Sequence, residues 1–304
     1  MRSLFLIGVL GFIAQLVDGS LGMAYGVTST SLLLAVGGLT PALASTVVHL
    51  SEVGTTAASG VAHAKFGNVD WGKILWMAVP GAIGAFAGAY VLASVLTAEA
   101  AEPLVAIFLF TLGIYVLTKF AFKRGGQIIN VRPIKGKFLA PLGLFAGFMD
   151  AAGGGGWGPI STPTLLSSGR MEPRKVVGTV DTSEFLVALS ASIGFLIALS
   201  FAAIPWGVVA ALLIGGVIAA PIAAWVVRHL NARVLGTAVG GLILITNART
   251  FLNAVGVDPS FNVFVYLAIV GVWAVALYFA ISALRKENGS LLQTGSSASS
   301  SSAS

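Results

Sequence analysis

Apolar stretches of roughly membrane-crossing length follow one another along this chain, with short polar joints between them. They fall at about 42–64, 72–96, 103–122, 176–202, 206–227, 234–255 and 262–284, and each reads as a helix long enough to cross a bilayer. Two further apolar stretches are interrupted. Residues 4–17 are cut at Asp18-Gly19-Ser20-Leu21-Gly22 and resume over 26–37; residues 138–149 are cut between Asp150 and Gly158 and resume over 159–168. Four consecutive glycines, Gly153 to Gly156, cost a helix about 1 kcal/mol each relative to alanine. Pro159 suits the first turn of a helix that restarts. Both interrupted stretches are therefore expected to be re-entrant hairpins that dip to mid-membrane and return. Period-two alternation is missing, which argues against a β-barrel.

The two interruptions belong to a repeat. A shift of 132 residues carries Asp18 onto Asp150 and Glu52 onto Glu184. It also carries Gly22 onto Gly154, Gly26 onto Gly158, Ser29-Thr30 onto Ser161-Thr162, and Pro41 onto Pro173. Residues 11–60 and 143–192 share 14 identities in 50 ungapped positions, and by Trp71 and Trp206 the shift has grown to 135. The predicted fold is an all-α polytopic membrane protein of two repeats. Each repeat is a broken, re-entrant hairpin plus three transmembrane helices, and one extra C-terminal transmembrane helix follows. Three spans per repeat is an odd number, so the repeats are expected to be inverted relative to one another. The predicted organisation is a first repeat over 1–122, a basic linker over 123–137, a second repeat with the extra helix over 138–286, and a disordered Ser-rich tail over 287–304.

Composition agrees with a membrane protein. Charged residues make up 9% of the 304, hydrophobic ones 57%, and the mean hydropathy is +0.95; a soluble domain carries about 25% charged residues. Placing the joints after 64 and 122, the open end of the second hairpin, the 228–233 joint and the C-terminus in the cytoplasm puts all 17 Lys and Arg except Arg2 and Arg249 inside. Glu99, Glu102 and Asp258 then lie outside, a positive-inside pattern with a cytoplasmic C-terminus. The basic residues are scattered among the joints without interleaved aromatics, so nucleic acid is not an expected partner. The first residues imitate a signal peptide, but more membrane sequence follows and they are expected to be retained.

No cysteine is present, which excludes thiol chemistry and Cys-based metal sites. The chain has no H-E-x-x-H and no G-x-S-x-G, and its glycine run matches G-x-G-x-x-G without a strand before it. No metal and no cofactor are expected. The distinctive chemistry is at the breaks. A helix N-terminus offers unpaired N–H groups and about half a positive charge, and two of them converging suit a small anion. Tyr25, Gly26, Val27 and Thr28 on one side and Trp157, Gly158, Pro159, Ile160 and Ser161 on the other are the expected anion cradle. Ser29, Thr30 and Thr162 offer further hydroxyls, and Gln15 a side-chain donor. Asp18, Asp150, Glu52, Glu184 and Asp181 lie within or beside apolar runs, where an ionised carboxylate costs at least about 2.5 kcal/mol. They serve either as acceptors for the N–H groups of the breaks or as proton carriers. Glu52 and Glu184 are the expected coupling pair. His49, one turn before Glu52, and Asp181, its counterpart in the second copy, are expected to tune the neighbouring glutamates. His63 and His229, near span ends, are expected at the membrane interface.

The stretch Gly11-Phe12-Ile13-Ala14-Gln15-Leu16-Val17-Asp18-Gly19-Ser20-Leu21-Gly22-Met23-Ala24-Tyr25-Gly26 resembles the first signature of the sulfite exporter TauE/SafE family of membrane permeases. His49-Leu50-Ser51-Glu52 and Phe66-Gly67-Asn68-Val69-Asp70 resemble its continuation. The second signature resembles Ala146 to Asp150, Gly153 to Ile160, and Lys175-Val176-Val177-Gly178-Thr179. The resemblance extends to about Lys286. It implies two inverted repeats and carriage of small sulfur-containing anions, such as sulfite, sulfoacetate or related organosulfonates, across the bacterial inner membrane. The expected mechanism is alternating access at a midplane site, with proton coupling and uniport both allowed. The membrane potential favours anion exit by about 2.3 kcal/mol per charge per 100 mV. Small residues at the helix crossings allow a homodimer. The alternative, an intramembrane enzyme or redox partner acting on a sulfur metabolite, lacks an evident nucleophile, metal set or cofactor niche.

Overall fold

The computed structural model describes residues 2–35, 38–122, 134–168, 170–226 and 232–301. The greater part of the basic linker, Arg228 and His229 lie outside these. Among the described residues there is no strand. The α-helices are α1 Arg2–Leu21, α2 Tyr25–Ala35, α3 Pro41–Lys65, α4 Trp71–Tyr90, α5 Ala98–Phe122, α6 Gly136–Gly153, α7 Trp157–Ser167, α8 Pro173–Ala198, α9 Trp206–Val226, α10 Ala232–Ala254 and α11 Asn262–Ser301. A five-residue π-helical turn, Val91–Val95, extends α4. Starts are set locally. Thr40 caps α3, its hydroxyl accepting from the Leu43 N–H with Pro41 next, and Asp70 caps α4 by accepting from Gly72 N–H.

Among the described residues, six segments, in α1, α4, α5, α8, α9 and α11, are long and apolar enough to cross a membrane. Helix α3 has 25 residues, about 37 Å at 1.5 Å per residue, yet is too polar to be one of them. It packs against α8 and α9 in the interior, where Ser45, His49, Glu52, Thr55, Ser59 and His63 are all buried. A helix sheathed by other helices needs no apolar coat.

Two helix ends differ from those the sequence predicts. Helix α1 does not stop at Asp18 but runs to Leu21, so at 20 residues it is a candidate span rather than a half-helix. Its interruption is Gly22-Met23-Ala24, where Gly22 takes φ 66° and Ala24 takes φ 98°. Close contact between Gly19 and Ala223 of α9 supports the extra turn. In the second copy Gly153 is still helical, and Gly154 ends α6 in the left-handed conformation at φ 74°. The restarts fall at Tyr25 and Trp157, one and two residues before the resumptions at 26 and 159 read from the sequence. Helix α11 extends to Ser301.

Packing crosses between the halves. Helix α1 lies along α9, and α6 lies along α4. By the repeat α6 corresponds to α1 and α9 to α4, so each half gives its first helix to the other. Glycine permits both seams. A Cβ on Gly11 would lie 2.6 Å from the Leu212 carbonyl oxygen, and one on Gly84 would collide with that of Leu144. The contacts Met77–Gly143, Gly81–Gly147 and Gly88–Ala152 advance together, so α4 and α6 run parallel; Gly8–Gly215 and Gly19–Ala223 give the same sense to α1 and α9. The corresponding helices α3 and α8 instead run antiparallel (Gly60–Thr182, Asn68–Gly178), as do α5 and α10 (Gly113–Ile243, Phe120–Gly236).

Candidate functional site

The two interruptions meet in the interior, backbone against backbone. A Cβ on Gly26 would lie 3.2 Å from Gly155 Cα, and one on Gly158 would lie 2.5 Å from Met23 Cα. The Thr162 hydroxyl donates to the Gly22 carbonyl, and Thr30 packs on Gly154. Tyr25, Gly26, Val27, Thr28, Trp157, Gly158, Pro159 and Ser161 are buried here and Ile160 is half-buried. The polar atoms of the two aromatic residues are committed elsewhere. Tyr25 Oη lies 3.1 Å from Ser51 Oγ, and Trp157 Nε1 donates to the Val180 carbonyl at 3.0 Å.

Each restarting helix is capped by the acid of its own break. The Tyr25 N–H donates to Asp18 Oδ1 at 3.3 Å. The Gly156 and Trp157 N–H groups donate to Asp150 Oδ1 at 2.7 and 2.9 Å. A buried carboxylate so placed satisfies N–H groups that a helix start leaves open and meets the positive end of the helix dipole.

Two triads of titratable side chains flank the meeting point. His49, Glu52 and Asp150 form one; Asp18, Asp181 and Glu184 form the other, with ligand atoms within 4.8 Å of one another in each. The shift of 132 carries Asp18, His49 and Glu52 onto Asp150, Asp181 and Glu184, so the triads are counterparts, each assembled across both halves. Two ionised carboxylates 4.8 Å apart repel by about 3.5 kcal/mol at an effective dielectric constant of 20, so the compensation in each triad matters.

In the Asp150 triad, His49 Nε2 lies 3.1 Å from Asp150 Oδ2 and 4.0 Å from Glu52 Oε2, while Nδ1 lies 2.8 Å from the Ser45 carbonyl. Both ring nitrogens face acceptors, so each of them can donate when it carries a proton. In the Asp18 triad the nearby ring is His63, with Nε2 3.8 Å from Asp181 Oδ2 and 3.1 Å from the Gly19 carbonyl. Its Nδ1 accepts from Asn68 Nδ2 at 3.2 Å, the pattern of a neutral ring protonated on Nε2. The sequence expects His63 near the membrane interface; the structure buries its side chain among other helices. The available signal was its repeat counterpart, Phe195, an apolar core residue. Gln15, Ser161 and both Glu52 carboxylate oxygens are buried without a hydrogen bond.

The model of the sulfite exporter TauE/SafE family matches residues 7–250. The chain belongs to this family. A probable membrane transporter protein of Bacillus subtilis (strain 168), YtnM, is 50% identical over 289 residues, 95% of this chain and 96% of the relative. No solved structure matches the chain. Residues 7–250 take in both interruptions and both triads. The protein is a multi-pass membrane transporter of the TauE/SafE family.

Proposed function

We propose that this transporter carries a small sulfur-containing anion, sulfite or an organosulfonate, by alternating access between two inverted repeats in the bacterial inner membrane, with its C-terminus in the cytoplasm. The observation that carries the reading is the contact of the two helix starts at Gly26–Gly155 and Gly158–Met23, which turns both positive helix ends toward one interior point. Inversion is supported by the antiparallel packing of α3 on α8 and of α5 on α10. A two-fold operation that exchanges antiparallel helices has its axis across them, in the plane of the membrane.

The cradle is 25–28 with 157–161, and Gln15 with its partnerless amide is a side-chain donor beside it. Asp150 Oδ1 already holds the Gly156 and Trp157 N–H groups, so an anion takes them only when that carboxylate gives way. Protonation within the His49–Glu52–Asp150 triad achieves this, and Glu52, whose oxygens are otherwise unbonded, is the proton's entry point. Asp18, Asp181 and Glu184 face it from α1 and α8. The test is labelled sulfite flux into proteoliposomes with and without an inward proton gradient, for the native chain and Glu52→Gln. Flux that rises with the gradient and loses that response in the variant supports proton coupling. Flux indifferent to both leaves a uniporter, and absence of flux for sulfite and organosulfonates alike overturns the substrate class.

A further inference from the structure

The duplication supplies an internal comparison, because the Asp150 triad is what the Asp18 triad would be without its own substitutions. Three helices each bring a pair of residues to the Asp18 side: Gln15 and Asp18 from α1, Ser59 and His63 from α3, Asp181 and Glu184 from α8. Each pair is spaced three or four apart and so shares a helix face. Their counterparts in the other half are Gly147 and Asp150, Ala191 and Phe195, and His49 and Glu52. A second carboxylate, Asp181, thus stands where the other triad has the His49 ring. Two neutral polar side chains stand where it has only Gly147 and Ala191.

These extra groups have no hydrogen-bond partner among the described residues. Gln15 and Ser59 are fully buried and make no hydrogen bond. A Cβ on Gly19 would lie 3.5 Å from Ser59 Oγ and 3.6 Å from Gln15 Nε2, which gathers both around the residue next to Asp18. Ser59 also faces the Asp181 carboxylate without reaching hydrogen-bond geometry, and Asp18 Oδ2 has no partner. The Asp150 triad has an imidazole, His49, with an acceptor at each ring nitrogen. The Asp18 triad has three acids and, in His63, a ring bonded as a neutral one.

We propose that Asp18, Asp181 and Glu184 bind a hard metal cation, sodium or calcium, with the Ser59 hydroxyl and the Gln15 amide oxygen completing an oxygen-only shell. Ligand atoms within 4.8 Å of one another fit such an ion, because oxygens on opposite sides of a sphere of radius about 2.4 Å are roughly that far apart. No metal site was expected from the sequence, whose familiar ligand motifs are absent; this one is assembled from three helices. Its role as a coupling ion for the anion rests on the transport reading, but occupancy does not.

The purified protein in detergent is titrated with sodium chloride or calcium chloride against choline chloride at constant ionic strength, following the thermal midpoint and binding of labelled sodium or calcium. Saturable binding of about one ion per chain with a rising midpoint is the expected result for one of the two ions. Asp181→His, which installs the ring found at position 49, is expected to weaken binding at least tenfold (about 1.4 kcal/mol) without lowering the midpoint in choline. Ser59→Ala is expected to weaken it less, and Ser190→Ala on the outer part of α8 not at all. The site is overturned if neither ion binds the native chain, or if Asp181→His binds as the native chain does. No substrate is present, so absent ion binding leaves the anion-flux test untouched, and failed flux leaves the ion result standing.

Discussion

Replacing Asp150 with alanine removes three interactions at once: the Gly156 and Trp157 N–H bonds at 2.7 and 2.9 Å and the His49 contact at 3.1 Å. Hydrogen bonds to a charged group contribute about 1.5–3 kcal/mol each, and deleting one buried partner also strands the others. Allowing for non-additivity, Asp150→Ala should destabilise the fold by about 4–6 kcal/mol. The counterpart Asp18→Ala loses a single cap bond at 3.3 Å and should cost about 1–2 kcal/mol. The difference of at least 2 kcal/mol is roughly thirtyfold in the unfolding equilibrium. Unfolding by rising SDS fraction in mixed micelles, followed by tryptophan fluorescence, measures it, with Trp157 at the affected helix start as a reporter. Asp150→Asn keeps an oxygen for the two N–H groups and should fall between. Equal losses for the two alanine variants, or an Asp150→Ala loss under about 1 kcal/mol, would refute the assignment of Asp150 as the stronger cap.

Three further outcomes follow from the same geometry. Gly158→Leu and Gly26→Leu should abolish anion flux, with Gly158 the more damaging to the thermal midpoint because its Cβ meets Met23 Cα at 2.5 Å. Gly84→Val should destabilise by about 1–3 kcal/mol through overpacking against α6, whereas Gly271→Ala, with nothing within 4 Å of its Cβ, should be neutral or mildly stabilising in the same melt. Ala24→Gly should raise the midpoint by relieving a positive-φ alanine, a strain of about 1–3 kcal/mol; an unchanged or lower midpoint would show that the surrounding packing, rather than the backbone, sets that conformation.

Much of this was legible because duplication prints the same signal twice. The 132-residue shift pairs the breaks, and the second restart is legible to within two residues from glycine and proline chemistry that needs no tertiary knowledge. The end of α1 was not legible in the same way. Asp18-Gly19-Ser20 is a poor helix sequence, and it stays helical beside α9, more than 180 residues away. The triads were legible as acids in apolar runs, but their grouping was not: Asp18 joins Asp181 and Glu184 only because α1 crosses to the other half. The burial of His63 was not legible either, because a position near a span end says nothing about how many helices surround it.

The exchange of first helices between halves also governs how the chain can fold. The surface that receives the glycine seam of α1, on α9, is made about 200 residues after α1 itself. Until then that seam faces lipid, and the acid at its end waits for both partners in its triad. Loop closure over such a separation makes folding late and concerted rather than sequential. A fragment ending after α5 would leave α1 and α4 each without a mate, although two copies of such a fragment could satisfy one another. The halves are thus legible as sequence units but not as folding units, and an ancestor of half this length would have needed to work as a dimer.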